Sequence, residues 1–190
     1  MINHSHGHAT AYIVDDEPDV RNALRKLVQS VGLNGRTFQD GREFLDYYDG
    51  ASPGCLILDV RLNGMSGLEL QQHLNESNSS LPIIFMSGYA DVRMAVDAIK
   101  AGAMDFVEKP FRAQDMLDRI QAAIQSDSEH RKRLTEQLQI RDRYDALTRR
   151  EREVLSLVVQ GMTTKRVAQT LGIRHKTVDI HRSNVMHKMQ

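Results

Sequence analysis

Cys55-Leu56-Ile57-Leu58-Asp59 is the stretch whose reading decides the fold. An unbroken apolar run bounded by the turn Ser52-Pro53-Gly54 reads as a strand covered on both faces, since a strand with one wet face would alternate polar and apolar residues. The run ends in a carboxylate. Open α/β sheets place their chemistry beyond the carboxyl ends of the strands, which makes Asp59 a candidate site residue. The plainer alternative is an Asp that caps the helix beginning near Ser66.

Working outward, the same grammar recurs on both sides. Tyr12-Ile13-Val14 is a short apolar strand ending in Asp15-Asp16, and Pro18 opens a helix with the stripe Val20, Leu24, Leu27, Val28 and Val31, ended by Gly32. Leu33 to Phe38 supplies a second strand, and Asp40 caps a second helix that reaches Tyr48. Beyond Asp59 come a helix from about Gly67 to Leu74, the strand Ile83 to Met86, a helix from about Val92 to Ala101, the strand Asp105 to Glu108 and a helix starting near Arg112. Five strands interleaved with five helices predict a doubly wound, five-stranded parallel sheet.

In that order the ends of the first, third, fourth and fifth strands converge on one crevice. Asp15, Asp16, Asp59, Ser87 and Lys109 stand there. Crowded carboxylates repel one another unless a hard cation holds them, and Mg²⁺ favours such oxygen ligands. An incoming phosphoryl group would find an acceptor in Asp59, a hydroxyl in Ser87 and a fixed cation in Lys109.

The rest of the chain is different in kind. Residues 1–125 carry 11 Lys and Arg against 17 Asp and Glu, whereas residues 126–190 carry 14 against 8. A net charge of zero therefore conceals an acidic front joined to a basic, anion-binding back. Ser126 to Asp145 is charged, with Leu134 and Leu138 at helical spacing; it reads as an extension of the preceding helix or a helical linker with a weak dimer seam, a solvated linker being the favoured reading. Thr148-Arg149-Arg150-Glu151 has the form of a capping box and opens a helix that stops at Gly161. Thr164 to Leu171 and His175 to Met189 are two further helices joined by the turn Gly172-Ile173-Arg174, which is a helix-turn-helix pattern. On the last helix, Val178, Val185, Met189 and His181 share one face; Lys176, Asp179, Arg182, Ser183 and Met186 occupy the other, with Thr177 and Ile180 beside it.

Apolar residues at 41% are enough for a buried core, and no apolar run approaches the ~20 residues of a membrane span, so the expected location is cytoplasmic, with no membrane partner. The single cysteine, Cys55, rules out an internal disulfide and reads as a core residue. His4, His6 and His8 alternate on a flexible tail, residues 1–9.

Taken in order, Asp15-Asp16, Asp59, Ser87, Phe106 and Lys109-Pro110 resemble the receiver domain of two-component response regulators. With its basic end, the chain resembles the FixJ/NarL type, which joins a receiver to a LuxR-type helix-turn-helix. The resemblance implies a receiver over 10–124, a linker over 125–145 and a DNA-binding domain over 146–190. It implies that Asp59 accepts a phosphoryl group from a histidine kinase, with Mg²⁺ ligated directly by Asp16, Asp59 and the backbone carbonyl of Arg61 and with Asp15 acting largely through water. Ser87 would bond the phosphoryl oxygens, Lys109 would pair with them or with Asp59, and Phe106 would be an aromatic switch. A cis Lys109-Pro110 peptide is expected. Such receivers have no catalytic turnover beyond their own phosphoryl transfer and dephosphorylation. They dimerise through the face of the fourth helix, fifth strand and fifth helix. Promoter DNA and RNA polymerase are the further partners implied.

For DNA, Lys165 and Arg166 suit phosphates; Lys176 and Arg182 suit phosphate or guanine. Asp179 suits a cytosine amino group and Ile180 a thymine methyl, with Thr177 and Ser183 alongside. Two departures stand out. Asn63 followed by Gly64 occupies the place where such receivers usually carry proline, and the chain stops at Gln190, before the last helix common to LuxR-type domains. The side chains of Arg61 and Tyr89 would overlook the site. Two other readings remain at this level. A haloacid-dehalogenase-type phosphatase would need Asp where Arg61 stands. An interaction protein acting as a phosphate sink would not need the basic face of the last helix.

Overall fold

The computed structural model describes residues 9–88 and 92–190. His4, His6, His8 and Tyr89 lie outside the described residues. The chain falls into two compact units, Met1–Arg131 and Lys132–Gln190.

The first unit runs β1 (Thr10–Val14), α1 (Pro18–Ser30), β2 (Asn34–Phe38), α2 (Gly41–Tyr47), β3 (Gly54–Asp59), α3 (Gly67–Glu76), β4 (Ile83–Ser87), α4 (Val92–Lys100) and β5 (Asp105–Glu108). The long α5 (Ala113–Asp145) begins here. All strand pairs are parallel, in the order β2-β1-β3-β4-β5. The three central strands are buried at every position, whereas β2 and β5, at the edges, are not.

The pleat sorts side chains onto two cores. Ile13, Ile57, Ile84 and Met86 pack with Leu24 and Val28 of α1 and with Met116, Ile120 and Ile124 of α5. Tyr12, Leu56, Leu58, Ile83 and Phe85 pack on the other face, with Phe44 of α2, Leu70 and Leu74 of α3 and Ala98 of α4. A one-residue slip of β3 would exchange the two sets, so the register is fixed from both sides.

Local chemistry sets the boundaries. Pro18 stands at the start of α1, and Asp40 caps α2 by accepting from the backbone of Arg42 and Glu43. Gly54, read from sequence as part of a turn, is the first residue of β3. It pairs with Thr10 so closely that a Cβ would strike the Thr10 carbonyl oxygen. Ala9, assigned from sequence to the tail, is buried in the first core, and its carbonyl accepts from the backbone of Asn34.

The solvated-linker reading needs a sharper correction. Asp127, two residues into the expected linker, is only 1% exposed. Its Oδ2 accepts from Gly54 N at 2.9 Å and from Arg131 Nε at 2.8 Å. The Arg131 guanidinium also donates to the carbonyls of Gly50, Ala51 and Ser52 at 3.0, 3.2 and 3.1 Å. This turn of α5 is thus docked on the loop before β3, and the carboxylate is buried because its charge is paired. Further along, Leu134 and Leu138 are exposed as expected.

In the second unit α5 is followed by α6 (Arg149–Val159), α7 (Thr164–Leu171) and α8 (His175–Met189). Val154, Val167, Ala168 and Val178 form its core. Both bonds of the capping box Thr148/Glu151 are present, and Gly172 closes α7 in the left-handed region at φ +64°. Among the described residues no helix is long and apolar enough to cross a membrane.

Arg131→Ala should cost about 3 kcal/mol, because it strands a buried charge. Adding Asp127→Asn should recover part of that loss, since an amide still accepts from Gly54 N without carrying charge. Urea unfolding followed by near-ultraviolet dichroism of the clustered Tyr12, Tyr47 and Tyr48 rings measures both.

Candidate functional site

Four strand ends build the site. Asp15 follows β1, Asp59 closes β3, Ser87 closes β4, and Lys109 follows β5. Asp15, Asp59 and Ser87 are all buried. The Lys109 Nζ donates to Asp15 Oδ2 at 2.7 Å and to Asp59 Oδ2 at 2.5 Å. The backbone N–H of Lys109 donates to the Ser87 carbonyl at 2.8 Å, which ties the fourth strand to the lysine. The Lys109-Pro110 peptide is cis. Asp59 does not cap α3: Ser66 does, in a capping box with Glu69. The second oxygen of Asp59, Oδ1, accepts instead from the backbone N–H of Arg61 at 2.9 Å. Gly67 lets the start of α3 approach this point, since a Cβ there would collide with the Asp59 carbonyl oxygen.

The electrostatics follow from this packing. Burial pushes the Asp15 carboxyl above its ordinary range, and the bonds from Lys109 and from the backbone of Glu17 only partly offset it. Burial works against the charge of Lys109 as well, yet its bonds to Asp15 and Asp59 together prevail and raise its pKa. The ammonium therefore stays charged between two carboxylates. Phe106 is half-buried, its ring centre 6.3 Å from that of Phe85.

The donor set fits one hard cation. Asp15, Glu17 and Asp59 each offer an oxygen, and these atoms lie within 4.8 Å of one another. The sequence reading expected Asp16 in this set and missed Glu17. In the structure Asp16 is not among the three, and its Oδ2 accepts from the Asn63 side-chain amide at 2.9 Å. Arg21 was also missed; its guanidinium donates to the Asp15 carbonyl at 2.5 Å. Its position one helical turn into α1 was the available signal, but a carbonyl as target is invisible in sequence.

In the second unit Lys165, Arg166, Lys176, Asp179, Ile180 and Ser183 are exposed, as a reading face requires. Thr177 and Arg182 are half-buried, and Arg182 Nη1 donates to Thr164 Oγ1 at 3.3 Å, so its guanidinium also braces α7 against α8. His181 is half-buried with Nδ1 enclosed and without a hydrogen-bond partner, consistent with a packed residue. Glu151 accepts from Lys188 Nζ at 2.7 Å, joining the start of α6 to the end of α8. That bond and the bond from the backbone of Thr148 pull the Glu151 pKa down to about 2.

A sheet of this order with acids and a lysine at its strand ends, followed by a helix-turn-helix unit, defines a receiver coupled to a DNA-binding domain. The profile of the response regulator receiver domain matches residues 11–121, and that of bacterial regulatory proteins of the luxR family matches 145–190. The transcriptional regulatory protein TdiR of Thauera aromatica is 42% identical over 181 residues, covering 95% of this chain and 80% of that protein. The transcriptional regulatory protein FixJ of Bradyrhizobium diazoefficiens is 37% identical over 179 residues, covering 94% and 87%. Among solved structures, the response regulator StyR superposes with a TM-score of 0.90 at 40% identity, covering 96% of this chain and 92% of that one. Full-length FixJ from B. japonicum gives 0.62 at 36% identity, covering 96% and 90%. The chain belongs to the two-component response regulators of the FixJ/NarL type, with a receiver and a LuxR-type DNA-binding domain.

The depressed Glu151 pKa sets a pH window. Stability from this group is fully present above the ordinary glutamate value of 4.5 and is lost as pH falls toward about 2. The advantage of the wild type over Glu151→Gln in thermal unfolding of the second unit should therefore be constant near neutrality. It should shrink progressively between those two values.

Proposed function

We propose that Asp59 is the phosphoacceptor and that its modification governs dimerisation and DNA binding. The observation that carries this reading is the Lys109 ammonium bridging Asp15 and Asp59 beside Ser87. A carboxylate oxygen of Asp59 attacks the phosphorus of a kinase phosphohistidine; the P–N bond breaks as the P–O bond forms, leaving an acyl phosphate on Asp59 and a free imidazole on the kinase. Lys109 then exchanges a carboxylate partner for a phosphoryl oxygen, and the Ser87 hydroxyl donates to another. A bound Mg²⁺ would supply positive charge to offset the negative charge developing on the phosphoryl oxygens. Asp15, Glu17, Asp59 and the Arg61 carbonyl would hold it, with Asp16 joining after a change of rotamer. Beyond transfer to and hydrolysis from Asp59, the chain carries out no turnover.

Movement of Ser87 toward the phosphoryl group would free space for the half-buried Phe106. The face beside it supports self-association: Val92, Val96 and Ile99 are exposed at i, i+4 and i+7 on α4, next to the ion pair of Asp105 on β5 with Arg119 on α5. Two copies paired there would present two copies of α8 to a two-fold promoter site. Lys165 and Arg166 would then anchor phosphates, and Lys176, Thr177, Asp179, Ile180, Arg182 and Ser183 would meet base edges or nearby phosphates. A histidine kinase and RNA polymerase complete the set of partners, and the chain would act in the cytoplasm.

Wild-type protein given acetyl phosphate and Mg²⁺ should take up about one equivalent of phosphate and then enrich a palindromic motif from a random duplex pool. Asp59→Asn should do neither. Stoichiometric uptake by Asp59→Asn would overturn the assignment.

A further inference from the structure

Asn63 is placed where a receiver of this type ordinarily has proline, and it does something proline cannot. Its side-chain amide donates to Asp16 Oδ2 at 2.9 Å across a loop-to-loop gap of 47 residues in sequence. The loop that presents it is held in place on one side by the Arg61 N–H on Asp59 Oδ1 and on the other by Gly64 in the left-handed region at φ +84°. Asp16 is meanwhile outside the group of carboxylates whose oxygens converge within 4.8 Å, which consists of Asp15, Glu17 and Asp59. The two observations are one geometry: the carboxylate that stands beside Asp15 in sequence is bonded to Asn63 and is not one of the three whose oxygens converge.

We propose that Asn63 is a latch on Asp16, a positioning residue that opposes Mg²⁺ binding and is released by it. This rests on the phosphoacceptor reading of the site. A carboxylate held by an amide has to give up that hydrogen bond before it can turn to a cation, and the free energy of the bond is subtracted from the metal affinity. The cation thus meets three converging carboxylates first and recruits Asp16 second. Because the latch lies on the loop that follows Asp59, Mg²⁺ binding also frees that loop from the loop after β1. The state of the metal site is thereby passed to the backbone around the acceptor.

The test is calorimetric titration of the full chain with MgCl₂. Asn63→Ala should bind Mg²⁺ about three- to tenfold more tightly than wild type, the range a net hydrogen bond to a carboxylate at a wet site supports. In an Asp16→Ala background the same Asn63 substitution should leave the affinity unchanged, which a general loosening of the loop would not. In wild type, the Asn63 side-chain NH₂ resonances should move on Mg²⁺ saturation. Equal or weaker binding by Asn63→Ala, an effect that persists without Asp16, or a stationary Asn63 amide at saturation would each overturn the latch. Absence of Mg²⁺ binding by wild type would instead overturn the reading of the site on which the latch depends.

Discussion

Lys109 Nζ, bonded at once to Asp15 and Asp59, is the interaction on which the first unit depends. Burial raises the proton affinity of Asp15, and the neighbouring Asp59 carboxylate adds to it. The Lys109 ammonium offsets part of that penalty and ties the end of β1 to the end of β3. It also makes the site sensitive to any change in charge. Any change of charge at Asp59 acts directly on Lys109, which is joined through its backbone to Ser87.

The strand that carries Asp59 is held at both ends by charge. At its start, Gly54 N donates to the buried Asp127, which Arg131 neutralises while covering three carbonyls of the preceding loop. At its finish stands the lysine bridge. Between them Cys55 to Leu58 are wholly enclosed, and burial pushes the Cys55 thiol up to about 12, which makes it inert at neutral pH.

The second unit uses the same economy on a smaller scale. Val154, Val167, Ala168 and Val178 form its packed cluster, Leu147 and Val185 are buried as well, and the polar clasp of Glu151 with Lys188 and Thr148 joins the start of α6 to the end of α8. The outward face of α8 is thereby left to Lys176, Asp179, Ile180 and Ser183, side chains whose chemistry suits base edges better than packing.

Most of the fold was legible because it rests on periodicity. Unbroken apolar runs at Cys55–Leu58 and Ile83–Met86 announce doubly covered strands, and the caps Asp40, Ser66 or Thr148 announce helix starts, since those signals are local. The acids and the lysine at the strand ends were also legible, because a parallel sheet must bring the carboxyl ends of its strands together. What escaped were contacts between distant segments through groups with no pattern. Asp127 looked like one charge among many in a polar helix; only the docking of α5 on the Gly50–Ser52 loop buries it. Glu17 carried no signal that sets it beside Asp15 and Asp59, and Asn63 stood out only as a departure from proline. By itself, then, the sequence determined the architecture and the inventory of the site, because hydrophobic spacing and strand direction are properties of the chain. Which carboxylates converge, and which is drawn aside by an amide, the tertiary structure alone decided, because side-chain rotamers answer to neighbours that the linear order does not reveal.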